Sequence, residues 1–141
     1  MENLIKPGGL PSEMSEGAEL RGNEYGWTPE SFPLALRRAE NLGFACLGGQ
    51  FQFRLNDATC EMYWLNADSK ERLLGESWGD YCRRSCSEVR ESFERILSKT
   101  DFSKEASGWN LSPSTTRNLV FVAYFVTEAQ LAKLAQNVVN E

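Results

Sequence analysis

The stretch that decides the fold runs from Asn23 to Leu55, NEYGWTPESFPLALRRAENLGFACLGGQFQFRL. Phe32, Leu36, Ala39 and Leu42 recur at helical spacing with Arg37, Arg38 and Glu40 on the other side, which predicts an amphipathic helix. Thr28 or Ser31 can cap it, because a hydroxyl there accepts from first-turn N–H groups that have no intrahelical partner. Pro29 and Pro33 fall in the first turn, where a missing N–H costs nothing, and Gly43 suits a left-handed C-cap. From Phe44 to Leu55 the composition turns to strand. Gly48 and Gly49 inside it predict a bulge or a close backbone approach.

Downstream, Asn56 and Asp57 make a turn and Ala58 to Leu65 a second strand, so the two strands form an antiparallel hairpin. Phe51, Phe53 and Leu55 share one face of the first strand, with Gln52 and Arg54 on the other. Ala58, Cys60, Met62 and Trp64 form the apolar set of the second, with Glu61 and Tyr63 opposite. One face is expected to be core and the other partly wet, with Trp64 and Trp78 in the core. Asn66 to Gly75 is charged and turn-rich, with room for one helical turn. From Ser77 a helical stripe resumes through Trp78, Cys82, Cys86, Val89, Phe93 and Ile96/Leu97. On its wet side Glu91 and Arg95 are spaced to pair, worth about 0.3–0.5 kcal/mol.

Thr100 to Asn118 reads as a long polar connection holding an exposed Trp109. Leu119 to Val126 (LVFVAYFV) is apolar on both faces, the mark of a strand in the middle of a sheet. Thr127 with Gln130 makes a capping box for a last helix whose stripe is Leu131, Leu134, Ala135 and Val138. Residues 1–22 read as an irregular N-terminal arm, with Leu4–Ile5 and Leu20 docking on the core and a short helix around Ser12 to Leu20. The expected fold is a single α+β domain over 23–141. Its small antiparallel or mixed sheet packs against about three helices in the order α-β-β-α-β-α.

The chain has 141 residues, 41% of them hydrophobic, and a formal net charge of -5. That is enough chain for one core without metal or disulfide staples. The acidic balance opposes nucleic acid and anionic lipid, and favours a basic partner if the charge is clustered; otherwise it serves solubility alone. No histidine is present, which removes the commonest general base and zinc ligand. No phosphate loop, nucleophile elbow or metal-binding pattern occurs, so no catalytic, cofactor or metal residue is assigned. Cys46, Cys60, Cys82 and Cys86 lack the spacing of a zinc site and read as buried free thiols. No leader and no apolar run of ~20 residues is visible, so the cytosol is the expected compartment.

Asn23-Glu24-Tyr25 with Trp27, the helix Pro29–Leu42 and Leu47-Gly48-Gly49 together resemble the Immunity protein 40 family of bacterial polymorphic-toxin systems. The strand ending Met62-Tyr63-Trp64 and the Trp78–Arg84 region are similar more loosely. The resemblance covers the first two-thirds of the chain. Gln50 stands where the family often carries an acidic residue, so no role passes to that side chain. The resemblance implies a non-enzymatic inhibitor that binds its cognate toxin in the cytosol, with a basic nuclease as one candidate toxin. On this reading the contact residues are Glu24, Tyr25, Asp57, Glu61, Tyr63, Asp68 and Glu71, since Trp and Tyr anchors among charges dominate interfaces. The protein would be a monomer or a homodimer. A homo-oligomeric adaptor pairing through the hairpin edge is the alternative. A further alternative is a small carboxylate or thiol enzyme using Cys60 or Cys82 near Arg83.

Overall fold

The strand at Leu119–Val126 is the middle of a five-stranded antiparallel sheet of order β1-β2-β5-β3-β4. The structure, a computed structural model, describes residues 9–139, with side chains as far as Gln136. In chain order the elements are α1 (Ser12–Ser15), β1 (Ala18–Arg21), β2 (Glu24–Trp27), α2 (Phe32–Leu42), β3 (Ala45–Arg54) and β4 (Thr59–Asp68). There follow α3 (Trp78–Lys99), α4 (Phe102–Gly108), a 3-10 turn at Pro113–Asn118, β5 (Leu119–Val126) and α5 (Glu128–Val139). This is a single α+β domain. The proposed docking of Leu4–Ile5 and the burial of Val138 lie outside the described residues.

The arm expected over residues 1–22 is structured where it is described. Ala18–Arg21 pairs with Glu24–Trp27 across the two-residue turn Gly22–Asn23, with Gly22 at φ +61°. Gly at that position makes the tight turn affordable, because the left-handed conformation costs it little. Met14 of α1 is fully buried, and its carbonyl accepts from the Trp27 indole at 2.7 Å. Trp27 in turn packs its ring on Phe32 and Phe125.

One face of the sheet carries the core. Phe32 of α2 meets Phe121 of β5 at 4.6 Å and Phe93 of α3 at 4.9 Å between ring centroids, and Phe51 of β3 meets Phe121 at 4.9 Å. Each such ring removes about 1.5–3 kcal/mol worth of apolar surface from water. The α2 stripe is Phe32, Ala35, Leu36 and Ala39, whereas Leu42 is 40% exposed at the C-terminus. Gly43 closes that helix at φ +82°, with Phe44 N–H returning to the Ala39 carbonyl. On α3 the expected stripe is joined by Tyr81 and Ser85, and the Ser85 hydroxyl accepts from Cys46 N–H at 3.1 Å. The i,i+4 ion pairs along α3 are Arg84–Glu88 and Arg90–Glu94, each at 3.1 Å, not Glu91–Arg95.

Three further expectations are corrected. The connection from Thr100 contains α4, capped by Asp101, which accepts from Lys104 N–H; Ala106 fills the core and Phe102 packs on Phe51. α5 opens with the capping box, Thr127 and Gln130 exchanging hydrogen bonds at 2.8 and 3.2 Å. However, Leu134 is 47% exposed and Ala135 is exposed, so Leu131 alone of the described stripe docks on the second, smaller core cluster. Finally, β4 runs on to Asp68, and no helical turn follows it.

The loop from Ser69 to Ser77 is tied to α3 by Arg84 and by Glu88, which accepts from the Lys70 N–H at 2.8 Å. Arg84 meets Glu76 at 2.7 Å and Glu88 at 3.1 Å, and donates to the Lys70 and Glu71 carbonyls. The Arg84 guanidinium, then the Leu73 N–H, hold the Glu76 carboxyl down to about 2 from its ordinary 4.5. A carboxylate depressed on folding stabilises the fold above its unfolded value and loses that contribution as pH falls toward the folded value. The melting temperature is therefore expected to fall between pH 4.5 and pH 2 with a component that Glu76→Gln removes. Thermal melts of both proteins across that window check this; superimposable slopes would refute it.

Candidate functional site

The face of the sheet that α2 and α3 leave uncovered is built from alternate residues, because neighbouring strand residues point to opposite sides. Pairing sets its rows. Tyr124, Gly48 and Asp68 lie side by side on β5, β3 and β4, the next row is Val122, Gln50 and Asn66, and the next Val120, Gln52 and Glu61. A hollow of about 380 Å³ opens at the first two rows, lined by Leu47, Gly48, Gly49, Gln50, Tyr63, Asn66, Asp68 and Tyr124.

The glycine pair makes this hollow. β3 carries an extra residue at Leu47 in its register with β5, and Gly48 follows at φ +138°. A Cβ on Gly48 would sit 2.4 Å from the Asp68 Oδ1, and one on Gly49 would sit 2.1 Å from the Val122 carbonyl oxygen. Both outcomes named from sequence are realised at once: a bulge and a close backbone approach. Ser69 fixes the β4 end of the hollow, its hydroxyl donating to the Cys46 carbonyl at 2.7 Å.

A second irregularity turns the rim aromatic. β4 pairs through Met62 with Phe51 and resumes at Asn66 with Gln50, so Tyr63, Trp64 and Leu65 are looped out of register. Trp64 is therefore half exposed instead of buried, a correction to the expected core set. It stacks on Trp109 at 6.3 Å, donates from its indole to Glu105 at 3.2 Å, and meets Tyr63 edge-on at 5.3 Å. Trp78 is half-buried, its indole donating to the Gly43 carbonyl. The bulge also twists the edge strand β4, which discourages pairing with another sheet.

Of the contact candidates, Glu24, Glu61, Tyr63 and Asp68 are brought to this face. Tyr124 donates to Glu24 at 2.6 Å and Gln50 donates to Glu61 at 3.2 Å, which draws both carboxylates to the hollow's surroundings. Burial, then the Glu24 carboxylate, pushes the Tyr124 phenol well up, so it stays a donor. Tyr25 instead points to the core side, half-buried against Trp27. Asp57 lies at the far turn of the hairpin, and Glu71 in the loop tied by Arg84. Tyr124, Asn66 and Gln50 went unassigned from sequence. Tyr124 is the one hydroxyl in LVFVAYFV, and that was the available signal.

The expectation of a partly wet second face also needs correcting at its centre. β2 pairs with β5 only at Gly26 and Trp27, and the Arg54 side chain of β3 reaches past β5 to the β1–β2 hairpin. There Arg54, 4% exposed, donates to the Glu19 carbonyl, to the Glu24 carbonyl at 3.0 Å and to Gln52 Oε1 at 2.9 Å. Gln52 is 1% exposed, and its Nε2 has no hydrogen-bond partner among the described residues.

All four thiols are buried and unbridged. Burial pushes Cys82 up to about 11 and Cys86 up to about 12, and it also raises Cys46. Such thiols stay protonated and are poor nucleophiles, which removes the support for a Cys82 thiolate beside Arg83. Among the described residues no group of acidic or cysteine side chains could hold a metal ion, and no helix is long and apolar enough to cross a membrane.

Comparison of the chain with protein-family models, curated proteins and solved structures finds no match. The family resemblance thus stands on the short motifs quoted above.

Proposed function

We propose that this chain is a binding protein of the immunity type, which neutralises a bacterial toxin domain in the cytosol by covering it and carries out no chemistry of its own. The observation that supports this most is the composition of the uncovered face. Asp68, Glu24 and Glu61 surround a hollow flanked by Tyr63 and Tyr124, and the stacked pair Trp64 and Trp109 continues it. Partly exposed aromatic rings held in place by acidic side chains are the makings of interface anchors, and the negative field speeds encounter with a basic partner. Glu24 and Glu61 are hydrogen-bonded to neutral donors of the chain itself, Tyr124 and Gln50, an arrangement that holds those two carboxylates in position.

The test is co-expression with the product of the adjacent reading frame. Growth should be restored in cells poisoned by that product, and a stable complex should co-purify. Tyr63→Ala and Trp64→Ala should each weaken the complex by about 2 kcal/mol or more, whereas Glu71→Ala should cost little. Absence of both rescue and complex would end the proposal.

A further inference from the structure

The partner's chemistry can be taken one step further, on the footing of the binding role proposed above. We infer that the hollow over Gly48 receives an arginine side chain of the partner. Its floor is a residue without a side chain, between Tyr124 and Asp68 in adjacent strands. Its lining contains one formal charge, that of Asp68, and no lysine or arginine among the described residues.

The hydrogen-bond inventory leaves acceptors for a cationic donor, beside the N–H and O–H donors that Asn66 and Tyr63 also bring to the lining. The Tyr124 hydroxyl hydrogen goes to Glu24 and a Gln50 amide hydrogen goes to Glu61. The Tyr124 oxygen and the Gln50 Oε1 remain as acceptors beside the Asp68 carboxylate, which has no hydrogen-bond or ion-pair partner among the described residues. Guanidinium is all donor, planar, and matched to a carboxylate by a two-pronged fit; it also stacks on aromatic rings such as Tyr63 and Tyr124. Lysine offers the charge without the fork or the flat face. The volume, about 380 Å³, suits one long side chain.

The experiment uses N-acetyl-arginine amide as the probe, with the lysine and citrulline counterparts, in amide-resolved NMR titrations of the whole chain. The arginine compound should shift the Gly48, Gly49 and Asp68 amides with a low-millimolar midpoint, as expected for a ligand of this size. The lysine compound should bind at least threefold more weakly, roughly, and citrulline, with the same shape but no charge, should leave those amides unmoved. Asp68→Asn should weaken the arginine compound about tenfold, and Tyr63→Ala, which leaves the strand backbone alone, severalfold. No shift at these amides, or equal shifts from citrulline, would overturn the assignment. A chain that binds its neighbouring gene product yet ignores the arginine compound loses only this assignment. One that takes the arginine compound but rescues nothing keeps it and loses the immunity reading.

Discussion

Gly49→Ala is expected to lower stability by about 4 kcal/mol, at the upper end of what one buried substitution does. The added methyl would lie 2.1 Å from the Val122 carbonyl oxygen, 2.7 Å from the Phe121 ring and 2.9 Å from the Ala123 Cα. Two of those atoms are backbone of the central strand, so no rotamer change relieves the clash. β3 and β5 would have to separate where Gly49 pairs with Ala123. Against a total stability of about 5–15 kcal/mol for a domain, the loss is large. In a chain of this size it should lower the melting temperature by roughly 10–15 °C. Gly108→Ala is the internal comparison, since a Cβ there meets nothing within 4 Å, and it should change stability by less than about 1 kcal/mol. Urea or thermal unfolding of the two variants decides the matter; a loss below about 1 kcal/mol for Gly49→Ala would mean β5 is not held against β3 as described.

The fold was legible wherever one periodicity ran long enough to be unambiguous. The Phe32–Leu42 helix, the α3 stripe from Cys82 to Phe93 and the run LVFVAYFV each bury a continuous surface, and each lies where its pattern put it. β1 and β2 escaped because each is four residues long, too short for alternation to stand out against a Gly- and Glu-rich background. The signal was there: Ala18 and Leu20, then Tyr25 and Trp27, alternate across Gly22–Asn23 at hairpin spacing.

The candidate site was half legible for a different reason. Alternation assigned Glu61 and Tyr63 to the outer face correctly, but it also placed Trp64 inside. The looped-out residues Tyr63 to Leu65 shift the parity of β4, so that Ala67 and not Trp64 returns to the core. The bulge lies opposite Gln50 and Phe51 of β3, so it is set by how the two strands pair, which the alternation of β4 alone does not encode. Tyr124 was hidden by its company, since a lone tyrosine in an apolar run reads as core until the sheet order shows one face uncovered.

Arg54 carries the second large effect. Arg54→Met keeps the stem and removes the guanidinium, leaving the carbonyls of Glu19 and Glu24 and the Gln52 Oε1 without their donor. Gln52 would then be unsatisfied at both ends of its amide, because its Nε2 already has no partner among the described residues. Stranding buried polar groups costs about 1–3 kcal/mol each, reduced where water reaches the carbonyls, so a loss of about 3 kcal/mol is expected. Arg54→Lys should recover only part of it, since a single ammonium cannot span the two strands. The loss should be uneven as well as large. The guanidinium is the main polar tie between β3 and the β1–β2 hairpin, and β2 has only Gly26 and Trp27 paired with β5. Hydrogen exchange at Leu20 and Tyr25 should therefore rise more than at Phe51 or Phe121, and proteolysis should appear at Gly22–Asn23. Freed in this way, Glu24 would no longer hold the Tyr124 hydroxyl, and the hollow would lose one wall of its acceptor set. Uniform loss of protection across the sheet would instead show that Arg54 supports the whole fold and has no particular hold on the hairpin.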